Sequence, residues 1–385
     1  MIANMSEYIK LFVSTFLRIV LRIFYLFPIR NKTIVFESFA GKIIGCNPYY
    51  IYNYLLSNHP DYKYIWCYNS EYVDDPNIFC VRRNSFAYIY NLLTTSIYIT
   101  NDSIPQYIPF RNRQIIINTW HGGGVYKKVG IELGDKFNWY GRLNLKRTSK
   151  STTYFLSSSE SFSNAAPKSY MISTSKLLPY GMPRNDIFFD QDKLSQIRNK
   201  IYDIYNVSSD AFLVLYAPTF RTYNFKSDLD LELVRNSIKC RFKVDNVLFF
   251  LRSHHLISHL FLGDSECQCI DVSDYPYMQD LLCAANMLIS DYSSCIWDYS
   301  YTYRPCILYV PDLFMYQSET NFHTPITTWG FPFAESNEQL SDIILNFDDD
   351  WFRDSMIKHH KSLNSYEEGT ATIKISHLIE QAFDD

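Results

Sequence analysis

The sequence predicts an α/β protein built from two consecutive Rossmann-like units. Three observations carry that prediction. Apolar runs of strand length recur along most of the chain, and several are separated by segments of helical pattern. The alternation breaks once near the middle, at Gly181 and Pro183, and then starts again. A chain of 385 residues also exceeds what one small core organises, so two domains are expected. Near-continuous apolar strands alternating with helices indicate parallel sheets covered on both faces.

The first element is an apolar segment, YIKLFVSTFLRIVLRIFYLFPIR, in which Lys10, Ser14, Arg18 and Arg22 recur every four residues. On a helix those four form one polar stripe, and Phe12, Phe16, Ile19, Val20 and Ile23 fill much of the rest. Charges interrupt the run too often for a spanning helix, which needs about 20 mostly apolar residues. The expectation is an amphipathic helix over 1–30, lying in the membrane interface with its basic side towards anionic headgroups. The competing expectation is a helix docked on the globular body.

The first unit, 31–190, follows. Strands are expected at TIVFESF (33–39), YKYIWCY (62–68), IFCVR (78–82), SIYIT (96–100), RQIIINTW (113–120) and TTYFLSS (152–158). Helices are expected at 48–59 and 85–95. A polar helix over 191–205 opens the second unit, 191–385, whose last helix is a candidate to pack back on the first. Its strands are expected at FLVLYAPTF (212–220), NVLFFLRSHH (246–255), CQCIDVS (267–273), MLISDYS (287–293) and CILYVP (306–311).

Composition narrows the function. A net charge of -4 gives no basic field to recruit nucleic acid. Nine cysteines without a CxxC pair point to a reducing compartment and away from structural zinc. The His255 to His259 spacing lacks the glutamate of a metalloprotease helix, because Leu256 stands there. The acidic runs 228–230 and 348–350 read as solvated polar segments, and no metal or cofactor is expected.

Four stretches could carry chemistry. His121 ends a strand-like run and is followed by Gly122, Gly123 and Gly124, then Lys127. Ligands gather at the carboxyl ends of parallel strands, so His121 is the candidate general base. YAPTFR ends another strand, offering the Thr219 hydroxyl and Arg221 as a phosphate fork. LRSHH places Arg252 and His254 or His255 at the same sheet edge. In LISDYSSCIWDY, Asp291 ends a strand, and Ser293 and Ser294 stand where a helix begins. Hydroxyls, backbone N–H groups and the helix dipole would there hold phosphate, with Asp298 one turn inside to meet sugar hydroxyls.

Taken in order, FESFAGK, NTWHG, KKVG, GMPRND, YAPTFR, LRSH, VSDY and SDYSSCIWDY resemble the CDP-glycerol glycerophosphotransferase family of teichoic acid and polyol-phosphate polymer synthesis. The resemblance runs from about residue 30 onward and includes SYEEGTATIKI. It implies a GT-B architecture, with two Rossmann-like domains facing a cleft and the donor held mainly by the second. It also implies a peripheral enzyme on the cytoplasmic face of the bacterial membrane. By that resemblance His121 is the catalytic histidine, and Arg221, His254, Ser293, Ser294 and Asp298 are donor-site positions. His254 is also carried as a catalytic candidate, and Thr219, Arg252 and Asp291 join the donor set.

The implied partners are CDP-glycerol or CDP-ribitol, a lipid-linked saccharide or polyol-phosphate acceptor, and an anionic membrane surface. Oligomerisation is left open. The family's HGTP departs here to HGGG, with one extra residue before Lys127, and Phe220 replaces the commoner tryptophan. Gly122 is expected to let the strand turn so that His121 points into the cleft. Gly123 and Gly124 are expected to leave room on the acceptor side. A non-catalytic, membrane-bound donor-binding protein is the alternative from another class.

Overall fold

The apolar runs become strands of two parallel sheets in a computed structural model that describes residues 2–69, 78–219, 221, 228–252 and 269–384. Side chains are described from Met5 onward. The chain divides into two compact units. One holds the residues up to His121, 129–186 and the residues from 366 on; the other holds 122–128 and 187–365.

Among the described residues the first unit has seven parallel strands. They are β1 (Arg30–Glu37), β2 (Lys63–Cys67), β3 (Cys80–Val81), β4 (Thr95–Thr100), β5 (Ile115–Asn118), β6 (Tyr154–Leu156) and β7 (Leu177–Leu178), in the order β3-β2-β1-β4-β5-β6-β7. Ile34, Phe36, Ile97, Ile99 and Ile117 fill one face; Val35, Ile65, Tyr98 and Ile116 fill the other. Apolar residues on both faces are why these runs read as continuous rather than alternating.

The second unit repeats the plan with six parallel strands among the described residues. They are β8 (Phe212–Tyr216), β9 (Val247–Leu251), β10 (Cys269–Asp271), β11 (Met287–Ser290), β12 (Cys306–Tyr309) and β13 (Phe333–Ala334), ordered β10-β9-β8-β11-β12-β13. In each sheet the first and fourth strands are neighbours and the order reverses between them, which makes the carboxyl ends of β1 and β4, and of β8 and β11, topological switch points. The acidic runs are helix starts. Asp230 accepts from Leu233 N at the helix Leu231–Phe242, and Asp348 accepts from Trp351 N at Asp349–Ser362.

The N-terminal helix, Ile2–Val20, corrects one expectation. The middle of its polar stripe, Ser14 and Arg18, is turned onto the protein. Ser14 is buried and accepts from Arg147 Nη1 at 3.1 Å, while Arg18 donates to the carbonyls of Gln106 and Ile108 at 3.1 and 2.8 Å. Burial lowers the Arg18 pKa, and the neighbouring charge of Arg147 lowers it further. Only Lys10 and Arg22 of the stripe are exposed. The outward face is apolar: Phe12 is 72% exposed, and Ile9, Phe16, Ile19 and Ile23 lie open beside it. A polar stripe satisfied by body carbonyls is cheaper than one left half-buried without partners. The following turn, Leu21–Leu26, buries Leu21 and Phe24 against Val35 and Tyr88, so those two residues are part of the first core.

The helix Ala371–Asp384 belongs to the first unit. Ile375, Ile379 and Phe383, spaced four apart, enter the core of Ile34, Phe36 and Trp66. Asp186 caps it, accepting from Ala371 N at 3.0 Å and Thr372 N at 2.7 Å. Burial pushes the Asp186 carboxyl up, against those hydrogen bonds. Glu367 accepts from Met182 N and Asn185 Nδ2. The GMPRND and SYEEGT stretches thus hold each other.

Candidate active site

In the first unit, just past β5, the left-handed backbone position falls on Trp120 and not on Gly122. Trp120 takes φ 52°. A bulky residue in the left-handed region costs of order 1–3 kcal/mol and persists only where its surroundings fix it. Here they do. Asn118 Oδ1 accepts from Trp120 N at 2.9 Å, and Asn47 Nδ2 donates to the carbonyls of Thr119 and Trp120 at 3.2 and 3.0 Å.

His121 follows. Its Nδ1 lies 2.7 Å from the Asn101 carbonyl, just past the end of β4. A carbonyl only accepts, so Nδ1 carries the proton and Nε2 is the nitrogen with the lone pair. The ring stacks on Trp120 at 4.4 Å between centroids and meets Phe39 at 5.3 Å. Arg184, 2% exposed, donates from Nη1 to the His121 carbonyl at 2.9 Å and from its backbone N–H to Asn47 Oδ1. The imidazole therefore has a fixed tautomer and a fixed backbone, the two requirements of a positioned base.

In the second unit, the switch point between β8 and β11 holds a buried ionic cluster. Arg221 pairs with Asp312 through Nε at 2.6 Å and Nη2 at 3.1 Å, and with Asp291 through Nη1 at 2.9 Å. Its guanidinium lies beside the stacked rings of Tyr292 and Tyr316, 4.9 and 4.8 Å from their centroids. Burial opposes the charge, but hydrogen bonding to Asp312 and the charges of Asp291 and Asp312 outweigh it and hold the pKa above its ordinary value. The side chain is 4% exposed. Asp291 also accepts from Thr219 N and from its hydroxyl at 2.6 Å. The fork expected for a donor phosphate is thus filled by two carboxylates, and Thr219, Arg221 and Asp291 bind one another.

Two other cations stand nearby. Arg252, just past β9, donates to the carbonyls of Val272 and Tyr275, and burial lowers its pKa. Lys127 is carried by an antiparallel bridge to Phe322, and its Nζ lies 3.4 Å from the Tyr316 hydroxyl. Burial lowers its pKa as well, while Asp291 within electrostatic reach raises it. Neither forms an ion pair among the described residues. Ser293 Oγ accepts weakly from Cys295 N at 3.4 Å. Ser294 precedes the helix Cys295–Ser300 with no side-chain cap bond. Asp298 is 3% exposed and accepts from Gln279 Nε2 at 3.2 Å, inside the fold rather than at its edge.

The glycines after His121 follow from packing. A Cβ on Gly123 would lie 2.0 Å from Trp297 Cδ1, and Gly124 takes φ 65°. Gly123 is therefore required by packing inside the second unit, where the indole of Trp297 presses on it, and not by the spare room expected of it. His254 lies outside the described residues, as do His255, His259 and Phe220.

The profile described as "CDP-Glycerol:Poly(glycerophosphate) glycerophosphotransferase" matches residues 19–381. The chain belongs to this family. The glycerophosphotransferase-family chain is 29% identical to the teichoic acid poly(glycerol phosphate) polymerase of Bacillus subtilis, over 76% of its own length and 40% of that protein. It is 30% identical to the polymerase of the same name from Bacillus spizizenii, over 78% of this chain and 79% of the relative. The solved wall teichoic acid polymerase TagF superposes with a TM-score of 0.84 at 25% identity, covering 100% of this chain and 98% of that one. The chain thus spans well under half of the first relative's length.

Residues that the sequence reading of this family member missed include Asn47, Asn101, Arg184 and Asp312. A signal existed for two of them. Asn101 and Asp312 each stand just beyond an apolar run, in YITND and YVPD, the same position that singled out His121 and Asp291. Asn47 and Arg184 act on carbonyls more than 60 residues away in sequence, and no local pattern marks them.

Proposed function

We propose that the chain transfers glycerol phosphate from CDP-glycerol to a hydroxyl of a membrane-linked acceptor in teichoic acid or related polyol-phosphate polymer synthesis. The observation that carries this reading is the tautomer of His121: the bond from Nδ1 to the Asn101 carbonyl puts the proton on Nδ1 and the basic lone pair on Nε2. The acceptor oxygen attacks the β-phosphorus of the donor, the bond to the bridging oxygen breaks, and CMP leaves carrying that oxygen. Positioning and electrostatics supply most of the rate in such a displacement.

The two units act as a GT-B pair, the first presenting His121 and the second the donor. In the second, the hydroxyls of Ser293 and Ser294 and the charges of Arg252 and Lys127 take the diphosphate. Thr219, Arg221, Asp291 and Asp298 shape that ground. This moves Lys127 from the acceptor to the donor, because its charge stands near Asp291 and Tyr316. Ribitol is the competing polyol, since a relative named as a ribitol-phosphate polymerase is also 29% identical.

The protein works as a peripheral enzyme on the inner face of the bacterial membrane. The outward apolar face of the helix Ile2–Val20 supports this, and no described helix is long and apolar enough to cross a bilayer. Incubation with CDP-glycerol, CDP-ribitol and lipid-linked acceptors, followed by mass analysis, tests the reading. CMP and an acceptor heavier by glycerol phosphate are expected. CMP-free mixtures with every donor, despite donor binding, would mean a non-catalytic assembly protein.

A further inference from the structure

The first unit carries a basic groove far from its chemistry. A cavity of about 670 Å³ opens between residues 25–29 and 110–113. Tyr25, Leu26, Phe27 and Phe110 give it apolar walls, and Arg111 and Arg113 give it charge. Arg111 is anchored by one bond, Nη2 to the Phe24 carbonyl, and its guanidinium lies 5.0 Å from the Tyr25 ring centroid. Its Nε is buried with no hydrogen-bond partner among the described residues. Arg113 is exposed and makes no ion pair among them. Two arginines with no carboxylate partner among the described residues, beside an apolar wall, are suited to a ligand that is anionic at one end and apolar at the other.

Its place in the fold separates the groove from the acceptor. The two lining segments immediately precede β1 and β5, so they lie at the amino edge of the parallel sheet. His121 follows the opposite end of β5, and that strand alone spans about 13 Å at ~3.3 Å per residue. The groove is instead continuous with the outward apolar face. The helix Ile2–Val20 runs into the turn Leu21–Leu26, whose last residue, Leu26, is 81% exposed and forms part of the groove wall.

We infer that this groove is a headgroup site for an anionic phospholipid of the bilayer on which the helix lies. Arg111 and Arg113 take the phosphate, and Leu26 and Phe27 meet the first acyl carbons. The inference rests on the membrane reading above. It also relocates the electrostatic part of membrane binding from the helix stripe, where Arg18 is spent on carbonyls, to the groove.

Flotation of the full chain with phosphatidylcholine vesicles, and with vesicles also containing phosphatidylglycerol, tests it. Wild type should favour the anionic vesicles. Arg113→Gln should lower that partitioning about five-fold, the effect of one basic group at an anionic surface, and leave partitioning on neutral vesicles unchanged. Asn112→Glu, an exposed change on the same wall, should act likewise, and thermal melts should match wild type for both. Wild-type flotation that neither variant alters overturns the groove and leaves the membrane reading standing. Absence of flotation on any vesicle overturns both. Displacement of the protein from anionic vesicles by millimolar inorganic phosphate would make the site one for free anions and overturn the lipid assignment.

Discussion

Replacing Arg221 with alanine separates two roles for that residue. Its guanidinium is 4% exposed, and the partner carboxylates of Asp312 and Asp291 are 6% and 1% exposed. Alanine would leave both carboxylates buried and uncompensated. Breaking a buried pair in this way costs about 3–5 kcal/mol, of which most is the stranded charge rather than the lost attraction. The contact of the guanidinium with the Tyr292 and Tyr316 rings adds about 1–2 kcal/mol more. For a unit of this size, about 2–4 °C of melting temperature follows each kcal/mol, so a drop of roughly 8–28 °C is expected. Urea denaturation at pH 7 measures the loss directly, and a double-mutant cycle with Asp312→Asn isolates the pair. In the cycle the double variant should lose less than the two single variants summed, since the neutral amide leaves one charge fewer to strand. If Arg221 were instead a free fork for the donor diphosphate, Arg221→Ala would melt like wild type and lose only CDP-glycerol affinity. That outcome would refute the structural role.

Three further outcomes are expected. His121→Ala should lower transfer by roughly 10²–10⁴ while CDP-glycerol affinity measured by calorimetry stays within a few-fold, and near-normal turnover would remove His121 as the base. His359 and His360 are buried, and burial lowers their pKa values to about 4 and about 3, against the ordinary value 6.5. The unfolded chain therefore takes up these protons first as pH falls through 6.5, and stability should decline from there to about pH 3–4; a urea midpoint unchanged between pH 7 and 5 would contradict this. Gly123→Ala would set a Cβ 2.0 Å from Trp297 Cδ1, so a loss of about 1–3 kcal/mol from overpacking is expected, visible as a lower melting temperature.

The strands that face two layers were legible because both faces are apolar, as in Ile34, Val35 and Phe36. β7 and β13, two residues each, are too short to leave a pattern. The strand-end rule brought Thr219, Arg221, Asp291, Ser293 and Ser294 forward, and it rests on topology that strand order alone supplies. What the rule lacks is the partner. Arg221 reads as a free fork until Asp312, 91 residues later, is seen to fill it. Gly123 reads as spare room until Trp297 is seen to press on it. The N-terminal stripe reads as facing anionic headgroups because local periodicity reports that a helix has two faces, not which one meets protein. The Gln106 and Ile108 carbonyls decided that, and they lie about 90 residues away.

The capping of the helix Ala371–Asp384 by Asp186 has a consequence for the order of assembly. On the ribosome, β1 to β7 emerge and can pair long before residues 371–384 exist. Until those residues arrive, the side of the sheet that Ile375, Ile379 and Phe383 will cover remains wet, with Ile34, Phe36 and Trp66 beneath it. The early unit must wait, partly open, through the synthesis of the whole later one. That interval is a window for chaperone capture. A frameshift far downstream, in codons specifying no residue of the later unit, would therefore damage the domain made first.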